Sequence, residues 1–368
     1  MKPKPPVAEP PAPPEAGKKP LSAGKRVVFF GVMLLLPVFF FGAVEGGLRL
    51  AGYGAEYPLF VEVPGLPAYR YQNPDVARRY FVREQNVPNS LNDFFQAEKS
   101  PETYRIFVQG GSSAAGFPFY YGGSFSRMLE QRLQQTFPDR RIEVVNTAMA
   151  AVNSYTLLDF TDEILAEKPD AVLVYAGHNE YYGVLGVGSS ETVSGFPIVT
   201  RAYLKLSRLR TVQALRDGLG RVAGWFGGGE RALPGNTLMQ RVIGEQSIPY
   251  GSPLYEMGLR QFRSNLSRLL ARYRAHGVPV YIGTLASNER DQAPFTTVHA
   301  EGVDVAAWEG HLAEARAAAA RGDTTAALAA LDAAIRLDSL AAGAFFAKGR
   351  LLDAAGRDTE ARDAYRAA

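Results

Sequence analysis

Residues 104–116 constrain this chain most. They read Tyr-Arg-Ile-Phe-Val-Gln-Gly-Gly-Ser-Ser-Ala-Ala-Gly. The first five are mostly apolar or β-branched, as in a strand buried on both faces. Gly110 and Gly111 break the run, Ser112 follows directly, and a helical pattern opens at Ser124. Strand, sharp turn, serine and helix in that order can hold a hydroxyl at the end of a sheet. A plain strand–helix loop whose serine caps a helix has the same spelling.

The rest of the chain repeats the alternation. Further strands are expected over 142–146, 171–176 and 278–284. Ser124 is a candidate N-cap, with Phe125, Met128, Leu129, Leu133 and Phe137 at helical spacing behind it. A second helix spans 156–168 and stops at Pro169. Ser252-Pro253 opens a third, striped by Leu259, Phe262, Leu266, Leu269, Leu270 and Tyr273 and ended by Gly277. Strands alternating with helices predict an α/β fold, a mostly parallel sheet with helices on both faces. Ligands in such sheets bind beyond the C-terminal strand ends. Ser112, the loop from Asn146, Asn179 and the loop after 284 all fall there.

The three loops together resemble the sequence blocks of the SGNH (GDSL-like) hydrolases. Residues 110–116 look like the first block, with Gly111 in place of the usual aspartate. Asn146-Thr147-Ala148-Met149-Ala150-Ala151 looks like the second, with Ala148 where the family has its named glycine. Gly177-His178-Asn179-Glu180 looks like the third, with Asn179 as the named asparagine and Glu180 replacing an aspartate. The resemblance covers roughly residues 104–295. It implies a flavodoxin-like sheet and an ester-cleaving serine. Ser112 would be the nucleophile. The backbone N–H groups of Ser112 and Ala148 and the side-chain amide of Asn179 would form the oxyanion hole. Gly111, Asn146, His178, Glu180 and Asn288 are candidate pocket residues. Ser113 is read as a turn hydroxyl. No metal or cofactor is expected.

The family's fourth block, Asp-x-x-His, supplies a base and the group that orients it. The chain has four histidines, His178, His276, His299 and His311, and the positions three before them hold Tyr175, Tyr273, Thr296 and Trp308. His276 closes a helix and reads as structural, and His299 is a poor candidate. The expectation is that the motif lies beyond Ala368 and that residues 1–368 alone have at most trace esterase activity.

Residues 1–25 are rich in Pro, Ala and Lys and read as a disordered tail. An uncharged run of 18 residues, 27–44, follows Lys25 and Arg26. It is close to the ~20 residues that span a bilayer. An uncleaved anchor over 26–48 is expected, its N-terminus cytoplasmic and the remainder outside. Residues 49–100, with little periodicity, are taken as a juxtamembrane segment, 101–300 as the hydrolase domain and 183–251 as an insertion in it. A net charge of +3 gives no broad basic field, so nucleic acid is not an expected partner. With no cysteines, disulfides, thiolate zinc sites and a cysteine nucleophile are excluded.

Residues 301–368 are alanine-rich. The turns at Gly322 and Gly356 stand 34 residues apart, and the same shift pairs Ala327 with Ala361, Leu331 with Tyr365 and Ala334 with Ala368. This stretch resembles tetratricopeptide repeats, which bind peptides or proteins. Three functions follow from these readings. The first is a membrane-anchored hydrolase of an acyl ester, with a carbohydrate O-acyl group as one candidate. The second is an O-acyltransferase of the same fold acting on envelope sugars. The third is an inactive scaffold that displays the repeats.

Overall fold

The computed structural model describes residues 22–81, 86–89, 93–190, 192, 195–225 and 247–368. The proline-rich tail up to residue 21 and Gly227-Gly228-Gly229 lie outside them. The chain divides into two compact units, Met1–Ala55 with Leu209–Gly227, and Glu56–Arg208 with Gly228–Ala368.

In the first unit, helix α1 (Ala23–Leu50) begins inside the segment expected to be tail and continues through Pro37. Its 23 residues Val28–Leu50 are long and apolar enough to cross a membrane, and none of them is buried. Glu45, the first charge after the apolar run, turns to a second helix, α7 (Arg210–Trp225). Its carboxylate accepts from the N–H of Arg210 (3.1 Å), the N–H of Thr211 (2.8 Å) and the Thr211 hydroxyl (2.9 Å). These are first-turn amides, which a helix cannot satisfy internally. Gln213 Nε2 donates to Ala55 O and its Oε1 accepts from Ala55 N, both at 3.1 Å, while Tyr53 Oη donates to Asp217 at 2.7 Å.

The second unit opens with β1 (Phe60–Val63), β2 (Leu66–Gln72) and β3 (Phe95–Gln96), an antiparallel sheet. Sequence periodicity gave no sheet in residues 49–100. The strands are short, and a register shift between Glu62 and Val63 breaks their alternation. The legible signal was the Pro64-Gly65 turn, with Gly65 at φ 79°.

The main sheet is built from β4 (Thr103–Gly110), β5 (Arg141–Asn146), β6 (Ala171–Tyr175) and β7 (Val280–Ile282). Its order is β5-β4-β6-β7 and every pair is parallel, the start of a flavodoxin-like order. The chain leaves β4 for one neighbour and later returns to place β6 on the other side. The switch point therefore lies at the C-terminal end of β4. Short α2 (Ser112–Ala115) and α3 (Tyr120–Gly123) lead to α4 (Phe125–Thr136). Helix α5 (Ser154–Ala166) starts two residues before its predicted position because Asn153 caps it, its side chain accepting from Tyr155 N at 3.1 Å. The expected insertion contains α6 (Pro197–Leu206). Helix α8 (Pro253–Ala275) has the predicted cap, Ser252 Oγ accepting from Tyr255 N at 3.2 Å.

One sheet face packs Phe107, Val145, Val172 and Val174 against Leu157, Phe160, Ile164, Leu269 and Tyr273 of α5 and α8. The other packs Ile106, Val108 and Val144 against Ala114 and Leu133. Helix α4 is covered only in part, since Met128 is 60% and Phe137 49% exposed. Its apolar stripe lines an open groove of about 550 Å³ with Tyr104, Leu173 and Tyr281. Arg105 is buried between strands. Its guanidinium donates to Glu143 (2.9 Å) and to the carbonyls of Glu167 (2.8 Å) and Gln96 (2.7 Å), and lies over the Phe95 ring.

Four helices close the chain, α9 (Val305–Ala320), α10 (Thr324–Leu337), α11 (Ala342–Ala354) and α12 (Asp358–Ala367). The 34-residue period holds in three dimensions. Gly322 and Gly356 both adopt left-handed φ, at 79° and 70°. Ala327, Leu331 and Ala334 are buried, as are their counterparts Ala361 and Tyr365, while Ala368 is exposed. Tyr365 fits over Gly349, where a β-carbon would stand 2.6 Å from the ring.

Candidate active site

Ser112 is the first residue of α2, directly beyond β4, and is partly exposed. Its backbone N–H belongs to the first turn, which the helix leaves unpaired. The turn is closed by Ala115 N–H to Gly111 O (3.0 Å) and Phe117 N–H to Ser112 O (3.0 Å). Asn146, at the end of β5, holds this turn from behind. Its Nδ2 donates to Ala114 O (2.7 Å) and Ser126 Oγ (3.0 Å). Asn146 is fully buried, so it supports the serine turn and does not line a pocket.

Asn179 comes from the loop after β6. Its Nδ2 donates one hydrogen to Val152 O at 3.0 Å. The same nitrogen lies 2.7 Å from where a β-carbon of Gly111 would be. The amide is thus held beside the residue preceding Ser112, with its second hydrogen unspent. The first and third sequence blocks meet as expected.

The middle block differs. Ala148 N–H, expected to face substrate, donates to Asn146 Oδ1 at 3.0 Å, so it is committed to its own loop. The loop runs along β4, with Thr147 N–H to Val108 O (2.8 Å) and Met149 N–H to Gly110 O (3.2 Å). The left-handed residue is Ala151, at φ 58°. Its carbonyl accepts from Val184 N at 2.7 Å, and its own N–H has no partner among the described residues. Nothing in an Ala-Ala pair reveals that the second alanine is left-handed.

Two buried carboxylates frame the site. Glu180 does not line a pocket: its oxygens accept from Ser154 Oγ (2.7 Å), Ser154 N (3.1 Å) and Gln261 Nε2 (2.8 Å), and burial raises its pKa. This fixes the residue next to Asn179 to the start of α5 and to the third turn of α8. Asp93, which sequence reasoning missed, accepts from Asn146 N at 2.9 Å and pairs with Arg127 at 3.1 Å. Burial pushes its carboxyl up to about 6, against the opposing pull of Arg127 and the Asn146 N–H. It sits in an aperiodic stretch that gives no sequence signal.

No histidine hydrogen-bonds to Ser112. His178 is exposed, with its ring against Tyr175. His276 Nδ1 meets Arg272 O at the end of α8 (2.9 Å), and His311 pairs with Glu314 on α9 (3.2 Å). His299 Nδ1 contacts the buried Asp338 carboxylate at 2.8 Å and packs edge-on to Trp308. It ties the loop after β7 to the C-terminal helices. Asn288 is exposed, its Oδ1 accepting from Asp291 N (2.9 Å) within a turn. Among the described residues no group of three or more His, Cys, Asp or Glu could hold a metal ion.

The sheet order and the place of Ser112 directly beyond β4 define an α/β protein with a serine at its topological switch point. No family model and no curated protein matches the sequence. Similar solved structures include a lipase/acylhydrolase from Enterococcus faecalis (16% identity, 48% of this chain and 74% of that one, TM-score 0.24). TesA (16%, 45% and 74%, 0.24) and the acetyl xylan esterase AlAXEase (13%, 48% and 76%, 0.25) are two more. At these TM-scores the fold rests on the strand order itself.

Proposed function

We propose that the chain is a serine ester hydrolase of SGNH type acting on an acyl ester outside the cytoplasmic membrane. The observation that carries this reading is the Asn179 amide held against Gly111, the residue before Ser112, at adjoining strand ends. Attack by Ser112 Oγ on an ester carbonyl forms a tetrahedral oxyanion. Donors fixed before the reaction stabilise it without reorganisation. These are the Ser112 N–H, the free hydrogen of Asn179 Nδ2 and, in place of Ala148, the unspent N–H of Ala151. The intermediate expels the alcohol, which takes up the serine's proton, and water then cleaves the acyl-serine left behind, releasing the acid and restoring the hydroxyl.

With its four histidines placed as they are, this chain's own rate is the share the oxyanion hole supplies, on the order of 10³–10⁴ over water. Helix α1 is the anchor, and Lys25 and Arg26 in its first turn, ahead of the apolar run, set the N-terminus inside. The 34-residue recurrence of Gly322 and Gly356 supports reading the last four helices as tetratricopeptide repeats that take a peptide partner.

The test is intact-mass detection of an acyl adduct after incubation with p-nitrophenyl acetate. The adduct should map to Ser112 and vanish in Ser112→Ala. It should form about 10²–10³ more slowly in Asn179→Ala. An adduct elsewhere, or none, ends the reading.

A further inference from the structure

We infer that α7 lies flat in the membrane interface, its apolar face in the outer leaflet and its arginines among anionic lipid headgroups. This rests on the reading of α1 as the anchor.

Three observations converge. The first is a stripe on α7. Leu215, Leu219 and Val222 recur at helical spacing and are 63%, 62% and 46% exposed. A helix in a soluble unit turns such a face inward. Here the opposite side makes the contacts, with Gln213 holding Ala55 and Asp217 accepting from Tyr53. The polar face is occupied and the apolar face is bare.

The second observation is where α7 begins. Glu45 accepts its first two amide hydrogens. Glu45 is also the first charged residue after the uncharged run of α1. A carboxylate in that place marks where hydrocarbon gives way to headgroups. The start of α7 is therefore fixed at interface depth, and the bonds from Gln213 and Asp217 hold its next turns beside residues 53–55. Any bilayer that α1 crosses is within reach of the bare stripe.

The third is charge. On a helical wheel Arg216 flanks the stripe at roughly 90° from its centre, and Arg221 lies farther round on the other side, toward the face of Asp217. Long basic side chains flanking an apolar face reach up to headgroups while their stems lie in the acyl boundary. Arg210, Arg216 and Arg221 against Asp217 give the helix a positive surplus, complementary to anionic lipid. The aliphatic stripe and the basic flanks call for the same partner, a lipid surface.

The chain has no cysteine, so single labelling sites are clean. The full chain is reconstituted into vesicles of phosphatidylcholine with phosphatidylglycerol and carries an environment-sensitive fluorophore at one position. Leu36→Cys reports on the anchor, Leu219→Cys on the α7 stripe, and Arg321→Cys is the water-exposed reference. The expected result is quenching at 36 by deep acyl-chain quenchers and at 219 by shallow ones. Position 219 should also resist aqueous iodide severalfold better than 321. Deep quenching at 36 with full iodide access at 219 overturns the proposal and leaves the anchor standing. Iodide access at 36 removes the anchor and the proposal with it. Leu219→Cys protection that is unchanged in Leu215→Glu/Val222→Glu chains would also overturn it, since a lipid-seated stripe must release.

Discussion

The Asn179 amide nitrogen occupies the space that a side chain at Gly111 would need, 2.7 Å from the missing β-carbon. The Ser112 turn and the Asn179 amide are therefore fitted to each other through an absence. Gly111→Ala should displace the amide, because its bond to Val152 O keeps it from swinging aside freely. Acylation of Ser112 should slow by about 10²–10³. Adding Asn179→Ala should slow it little further, since both changes remove one donor. Additive effects in the double variant would separate the two residues.

Ala151 carries a left-handed backbone, which costs an L-residue roughly 1–2 kcal/mol. Glycine has no such cost but loses more chain entropy on folding. Ala151→Gly should therefore raise stability by a few tenths to about 1 kcal/mol in denaturant unfolding. A loss of stability would mean that the methyl group's packing outweighs its strain.

Asp93 makes stability depend on pH. Its carboxyl titrates at about 6 when folded, against an ordinary 3.8. The folded state therefore holds the proton more tightly. That contribution is complete below about pH 4 and is lost as pH rises through about 6. The size is on the order of 3 kcal/mol. Relative to Asp93→Asn, the native chain should lose that amount between about pH 4 and pH 7. Parallel stability curves for the two chains over this range would contradict the assignment.

Arg105 and Glu143 form a buried pair whose removal is asymmetric. Arg105→Met leaves the buried Glu143 with only the half-exposed Arg141 at 3.5 Å and the Gln96 N–H at 3.2 Å, at a cost of about 3–5 kcal/mol. Combining it with Glu143→Gln should recover part of that loss. A double variant no more stable than Arg105→Met would place the loss in the carbonyl bonds to Gln96 and Glu167.

The central strands were legible because burial on both faces leaves continuous apolar runs ending in glycine or asparagine. Ser112 follows the glycines that end one such run, and Asn179 was marked by the family resemblance. The β1–β3 sheet was not legible, since short half-exposed strands with a bulge carry no sustained alternation. The stripe of α4 was traced, and only part of it is covered. Periodicity identifies a face that favours burial and says nothing about what covers it. The loop after β5 misled differently. Ala148 and Ala151 are the same residue type, and only φ and the Asn146 bond distinguish the committed amide from the free one.

Strand β7 is three residues long and pairs with β6 along one side only among the described residues. Tyr281 and Ile282 are 60% and 47% exposed. An unpaired strand edge is a growth point: its outward N–H and C=O groups can template another extended segment, in register, at a spacing of about 4.8 Å. Three residues offer few such bonds, so one addition would be weak and reversible. Concentration thus becomes a structural variable for this chain. Crowded on a membrane, neighbouring copies would meet at their sheet edges far more often than the same number of molecules dispersed in solution.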